Sequence, residues 1–178
     1  MKSLYAARWI VPITSAPFQN GALVVDGELI VAIGDKADLV ARFPDARVED
    51  LGAAAILPGL VNTHSHLELT AMRGFLEAEE ADFFLWLRKL TIARQERLTA
   101  DDLYFSAAWG ACEAIRAGVT GVADASDAAA ESMKAVRDVG LRGIVYQESF
   151  GPDPRLAQSN LEILAKKIDA LRELERQY

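Results

Sequence analysis

Twice in the second half of the chain a helical run ends in glycine and passes straight into a short apolar segment, at Ala117-Gly118-Val119 and at Val139-Gly140-Leu141. Glycine closes a helix in the left-handed conformation without steric cost, and an apolar, β-branched run directly behind it reads as a strand. Strands are therefore expected at Val119–Asp124 and Leu141–Tyr146, with a helix from Ala128 to Val139 between them. A βαβ rhythm of this kind belongs to the α/β class. Three further helices fit the rhythm. Phe83 to Ile92 is strongly apolar with charges on its far side, Thr99-Ala100-Asp101-Asp102 resembles an N-cap for a helix running to about Ala117, and Leu161, Leu164, Ile168, Leu171 and Leu174 mark a final amphipathic helix.

The first 57 residues read differently. Leu4 to Ile13 is apolar and β-rich, Thr14-Ser15-Ala16-Pro17 breaks it, and Gly21–Val25 resumes. Asp26-Gly27 is a hairpin signal leading into a partner strand at 28–34. A short helix from Lys36 to Phe43 stops before Pro44, and Arg47–Leu51 adds one more strand. Residues 1–57 thus form a small β-rich module and residues 58–178 an α/β one. With 51% hydrophobic residues, 25% charged residues and three tryptophans, the chain is globular. A net charge of −7 with no Lys/Arg cluster excludes nucleic acid as a partner. No apolar run is long enough for a signal peptide or membrane span. A single cysteine, Cys112, forms no internal disulfide, which points to the cytoplasm; its helical context predicts a place in the core.

Both histidines of the chain lie in Pro58-Gly59-Leu60-Val61-Asn62-Thr63-His64-Ser65-His66-Leu67-Glu68. On a strand, residues i and i+2 face the same way, so an extended His-x-His presents two imidazoles together. The apolar residues Ala55-Ile56-Leu57 and Leu60-Val61 predict a buried strand end here. Neutral imidazoles are good ligands for zinc and related divalent ions, but a catalytic site needs three protein ligands and an open position. Taken alone, the pair is either half a metal site or two polar residues at a strand end.

This stretch closely resembles the first-strand signature of the amidohydrolase superfamily, nearest to the branch of cytosine, guanine and other aminohydrolase deaminases and of the triazine chlorohydrolases. Asp26–Gly34, Met72-Arg73-Gly74, Trp86-Leu87, Gly118-Val119-Thr120 and Gly140-Leu141-Arg142 also fall where that branch has similar residues. The resemblance implies a (β/α)8 TIM barrel flanked by a β-sandwich built from both chain ends. It implies one divalent ion, Zn with Fe or Mn as alternatives, with His64 and His66 as its first two ligands. It also implies hydrolysis of a non-peptide C–N bond in a small-molecule substrate, as deamination of a heterocyclic or nucleoside-like amine. A complete barrel needs eight strands and about 250 residues. The expected strands at 59–64, 119–124 and 141–147 make only an incomplete barrel, preceded by the N-terminal part of the β-sandwich. The chain therefore reads as an N-terminal fragment inactive on its own, with exposed apolar edges that favour association. A homo-oligomer remains open.

Three acids and an aromatic cluster are further candidates. Glu68 faces the way of His66 if the chain stays extended, to orient a histidine or serve in catalysis; otherwise it opens the following loop and is solvated, the reading favoured. Glu148 follows a strand at the end where barrel enzymes place functional groups, as a catalytic or substrate-binding residue or as loop. Asp124 is a substrate-binding candidate, although an aspartate capping the next turn is the commoner case. Phe83, Phe84 and Trp86 either wall a pocket for a flat heterocycle, Trp86 being the substrate-binding candidate, or, more often at helical spacing, pack in the core. Lys166 and Lys167 sit on a helix rather than at a strand end, which favours one metal over the lysine-bridged pair of other amidohydrolases. Two rivals are a dinuclear cyclic-amide hydrolase and a non-catalytic relative acting through protein contacts.

Overall fold

The N-terminal strand β1 (Lys2–Ile10) is the centre of the first sheet in a computed structural model that describes residues 1–76, 81–150 and 153–177. It pairs antiparallel with β2 (Phe18–Asp26) and parallel with β4 (Arg47–Asp50) and β5 (Ala55–Ile56), while β3 (Leu29–Asp35) covers the far edge of β2. The period of two turns Leu4, Ala6, Ala22 and Val24 to one side, where Leu39 of helix α1 (Lys36–Arg42) closes the core over them. Asp35 caps that helix, its Oδ1 accepting from the amides of Ala37 and Asp38 at 2.8 and 3.2 Å. The hairpin loop is Gly27-Glu28 rather than Asp26-Gly27, because Asp26 still pairs with Leu29 and it is Gly27 that takes the positive φ of +60°. The apolar run expected to lead as one strand end into the histidines is divided: Ala55–Ile56 pair with β1 as β5, in a different sheet from the strand that carries His64.

Residues Met1–Pro58 and Gly59–Tyr178 are two separate compact units. The second opens with β6 (Leu60–Ser65), followed by a 3-10 turn at Leu67–Met72 and by helices α2 (Phe83–Arg97) and α3 (Ala100–Arg116). Then come β7 (Val119–Ser126), α4 (Ala129–Val139), β8 (Arg142–Gln147), a 3-10 turn at Pro154–Leu156 and α5 (Ala157–Arg176). The three strands are parallel in the order β6-β7-β8. Thr99 and Asp102 form the expected capping box of α3, and Gly140 closes α4 at φ +79°. The core joins Leu67, Ala107, Ala111, Val122, Ala135, Val136 and Leu141. No helix among the described residues is long and apolar enough to cross a membrane.

Four expectations change. The strand carrying the histidines is not buried: Leu60 and Val61 are 53% and 67% exposed, since among the described residues β6 pairs only with β7. Strand β7 runs two residues past Asp124, because its ladder with β8 continues through Ala125–Tyr146 and Ser126–Gln147. Cys112 is exposed, since α3 buries the stripe of Ser106, Ala107, Gly110 and Ala111 and the next residue turns about 100° away. Helix α2 extends to Arg97 and buries Leu90, Ala93 and Arg94; Phe84 lies off that stripe, and Phe83, though in line with Leu90, stands in the first turn ahead of the buried part, so both are exposed.

Candidate active site at the strand ends

The C-terminal ends of β6, β7 and β8 converge, and four of the singled-out residues meet there. In parallel sheets with helical connections this edge is where ligands bind, because the loops leaving it are free to vary. His64 is the last residue but one of β6, which ends at Ser65, and His66 follows directly after the strand. Their ring centroids are 5.0 Å apart with planes at 86°. At His66 the extended conformation gives way to the 3-10 turn, so the alternation that would set Glu68 beside the imidazoles is lost.

Glu68 is instead turned inward. It is fully buried rather than solvated, and neither carboxylate oxygen makes a hydrogen bond within the described residues. Burial, with the Asp124 carboxylate adding to it, pushes Glu68 up to about 7, against the smaller pull of Ser126 and His66. Asp124 is also fully buried and does not cap the next turn; the Ser126 hydroxyl does that, accepting the Ala128 amide at 3.0 Å. Asp124 Oδ1 accepts the Ser65 hydroxyl at 2.9 Å and the Leu67 amide at 2.8 Å, the two residues flanking His66. Burial also raises the Asp124 carboxyl, opposed by the Leu67 amide and the Ser65 and Ser132 hydroxyls. The aspartate thus clamps the histidine segment to the neighbouring strand.

Glu148 stands just past β8, with its Oε2 3.6 Å from His66 Nδ1. Its backbone amide is held by the Ser126 carbonyl at 2.9 Å. His66 and Trp86 line a common cavity of about 330 Å³ with Leu69, Met72 and Leu90, while Phe83 stacks on Trp86 from outside at 6.1 Å. A larger cavity, about 650 Å³, lies elsewhere, between α4, β8 and α5. Lys167 on α5 is paired with Asp127, at 2.7 Å.

Two imidazoles side by side are donors of the type a zinc-like ion takes. Among the described residues no set of three or more His, Cys, Asp or Glu side chains is gathered to hold one. Residues 55–177 match the model of the amidohydrolase family. The chain belongs to that family. Residues 21–46 of this amidohydrolase also match a bacterial imidazolonepropionase-like composite domain. A 5-methylthioadenosine/S-adenosylhomocysteine deaminase of Symbiobacterium thermophilum is 33% identical over 144 residues, which are 80% of this chain and 32% of that protein. The chain thus spans about a third of the length of the relatives it matches. An aminofutalosine deaminase of Helicobacter pylori, solved with methylthio-coformycin, superposes with a TM-score of 0.76 at 19% identity, covering 97% of this chain and 41% of its own. An adenosine deaminase of Xanthomonas campestris with bound zinc gives 0.65 at 24% identity, with coverages of 79% and 32%. The fold is therefore the α/β fold of amidohydrolase structures, covered in part.

Ser65, Ser126 and Asp127 carry no motif that would single them out in the sequence. Arg94 had a signal: Leu87, Leu90 and Arg94 at spacings of three and four set an arginine on the apolar stripe of its helix.

Proposed function

We propose that the complete protein is a metal-dependent hydrolase of non-peptide C–N bonds, an aminohydrolase acting on a heterocyclic or nucleoside-like amine, and that this chain supplies the first two metal ligands. The carrying observation is the meeting of His64, His66 and Glu148 at one edge of a parallel sheet, with Glu148 3.6 Å from His66 Nδ1. Relatives named as deaminases and a zinc-bound structural neighbour support it. Residues 1–57 are read as the N-terminal part of a β-sandwich and 58–178 as the opening βα units of a TIM barrel.

His64 and His66 would hold the ion through neutral ring nitrogens, and zinc is the ion favoured. A divalent ion held there would supply Lewis-acid activation of water for the hydrolysis. Glu148, 3.6 Å from His66 Nδ1, is close enough to favour one orientation of that ring. Asp124 accepts from the Ser65 hydroxyl on one side of that ring and the Leu67 amide on the other. Trp86 and the apolar wall beside it offer a flat, water-poor surface for a heterocycle. Glu68 lies behind the strand and contributes by packing, without touching substrate.

The test is ammonia release by the full-length protein from purine, pyrimidine, triazine and nucleoside amines, with zinc counted per chain. One ion per chain, with activity abolished in both His64→Ala and His66→Ala, supports the proposal. Full activity after chelation refutes it, and two ions per chain would favour the dinuclear cyclic-amide reading.

A further inference from the structure

Glu148 lies just outside the β7–β8 ladder, which ends at the Ser126–Gln147 pair, and yet its main chain is held on both sides. Its amide donates to the Ser126 carbonyl at 2.9 Å, and its carbonyl accepts from the side chain of its neighbour, Gln147 Nε2, at 2.8 Å. The same Nε2 also donates to the Asp127 carbonyl at 2.9 Å. With both of its hydrogens spent on carbonyls, the Gln147 amide has one orientation that satisfies it. Gln147 therefore ties the end of β8 to the turn that follows β7.

Asp127 is itself fixed from two helices. Lys167 of α5 donates to the Asp127 carbonyl at 2.9 Å and to Oδ1 at 2.7 Å, while an Nη of Arg94, on α2, lies 3.2 Å from Oδ2. Arg94 also reaches the far side of the loop, with its Cζ 5.5 Å from the centroid of the Phe150 ring. The charges of this cluster balance, with Asp127 and Glu148 facing Arg94 and Lys167 around a cavity of about 200 Å³. What its bonds have in common is that they hold the segment 147–150.

A side-chain amide tying off a strand end is ordinary, and by itself it would matter only to stability. Here the residue it holds is the one whose Oε2 lies 3.6 Å from His66 Nδ1. That contact is long for a hydrogen bond, so its effect on the ring depends closely on where the Glu148 main chain sits. We propose that Gln147 is a positioning residue of the histidine site, holding the Glu148 carboxylate beside His66, with Asp127 as its anchor and Lys167 and Arg94 as the supports of that anchor. The inference rests on the metal-dependent hydrolase reading and adds to it a link from α2 and α5 to the histidines.

The experiment is a double-mutant cycle of Gln147→Leu and Glu148→Gln in the full-length protein. Zinc affinity is measured by competition with a chromophoric chelator, and the visible spectrum is recorded after cobalt(II) replaces zinc. Leucine keeps much of the bulk of the side chain and removes both donations. Gln147→Leu is expected to weaken zinc binding by about tenfold and to shift the cobalt bands. In the Glu148→Gln background the same change should cost less than about twofold and leave the bands where Glu148→Gln alone puts them, since Gln147 acts through Glu148. Equal losses in both backgrounds, or no loss in either, overturn the inference, because a residue that only supports the fold acts additively. If Gln147→Leu gives no cooperative melt, Lys167→Met, at a site about a third exposed, takes its place in the cycle under the same criteria, and Lys167→Arg, which keeps a donor, should restore most of the affinity. Neither readout needs a substrate. A non-additive cycle in a protein that releases ammonia from no amine leaves the positioning standing and the reaction wrong; ammonia release with an additive cycle does the reverse, and a parent that binds no zinc overturns both.

Discussion

Asp124→Ala separates the clamp behind His66 from the packing of the sheet. The aspartate is fully buried and its Oδ1 receives two donors, the Ser65 hydroxyl at 2.9 Å and the Leu67 amide at 2.8 Å. Alanine removes both acceptances and leaves the amide of Leu67, a residue only 6% exposed, without a partner. Each hydrogen bond to a charged group contributes about 1.5–3 kcal/mol, and stranding a buried donor costs about 1–3 kcal/mol. Against this, burial already disfavours the Asp124 carboxylate, so removing it returns part of the loss. The net expectation is about 2–3 kcal/mol of stability lost. Because the two donors flank His66, zinc affinity of the complete protein should also fall by about 10–100-fold, as when residues that orient a ligand are removed. Asp124→Asn retains an acceptor oxygen and should recover most of both effects. The assays are urea denaturation of metal-free protein and competition for zinc against a chromophoric chelator. An alanine variant that unfolds earlier yet binds zinc within about threefold of the parent would show that Asp124 supports the sheet and not the histidine, and the clamp would be refuted.

Three further outcomes follow from the same geometry. Glu68 has a folded pKa of about 7 against an ordinary value of 4.5, so its ionisation opposes folding: stability is lost as pH rises from 4.5 and the loss is complete above 7. In metal-stripped protein, Glu68→Gln should match the parent near pH 4 and exceed it by about 3 kcal/mol near pH 8 in urea titrations; a difference that does not change with pH would contradict this. At Gly110, inside α3, a Cβ would come within 2.3 Å of Thr70 Oγ1 and 3.1 Å of Leu67 Cδ2, in the turn that leads away from His66. Gly110→Ala should cost about 1–3 kcal/mol by calorimetric melting despite its better helix propensity, and an increase in melting temperature would refute the close approach. Residues 1–178 expressed alone should associate, since Leu60 and Val61 on β6 and Ile144 on β8 are more than half exposed at the two sides of the sheet. A monodisperse monomer in sedimentation would count against it.

Most elements were legible because their signals are local. Gly118 and Gly140 follow their helices at positive φ, and Thr99 and Asp102 cap each other within four residues. The hairpin shifted by one residue and β7 ran on past Asp124, since the end of a strand is set by its neighbour's hydrogen bonds and not by its own composition. Burial was less legible. Cys112 and Phe84 are apolar by type but lie off the stripe their helices bury, and the width of that stripe depends on what packs against it.

From the sequence alone came the strand–helix alternation, the paired histidines and their resemblance to a metal-binding family, because each rests on residues adjacent in the chain. Tertiary structure alone decided which distant groups meet them. Glu148 comes to 3.6 Å from His66 across 82 positions through the parallel order β6-β7-β8. The 3-10 turn sends Glu68 inside, where desolvation by the packed strands, a quantity no motif encodes, lifts its pKa to about 7. Arg94, Asp127 and Lys167 come from α2, a turn and α5, and their shared charge exists only where those three elements close on one cavity.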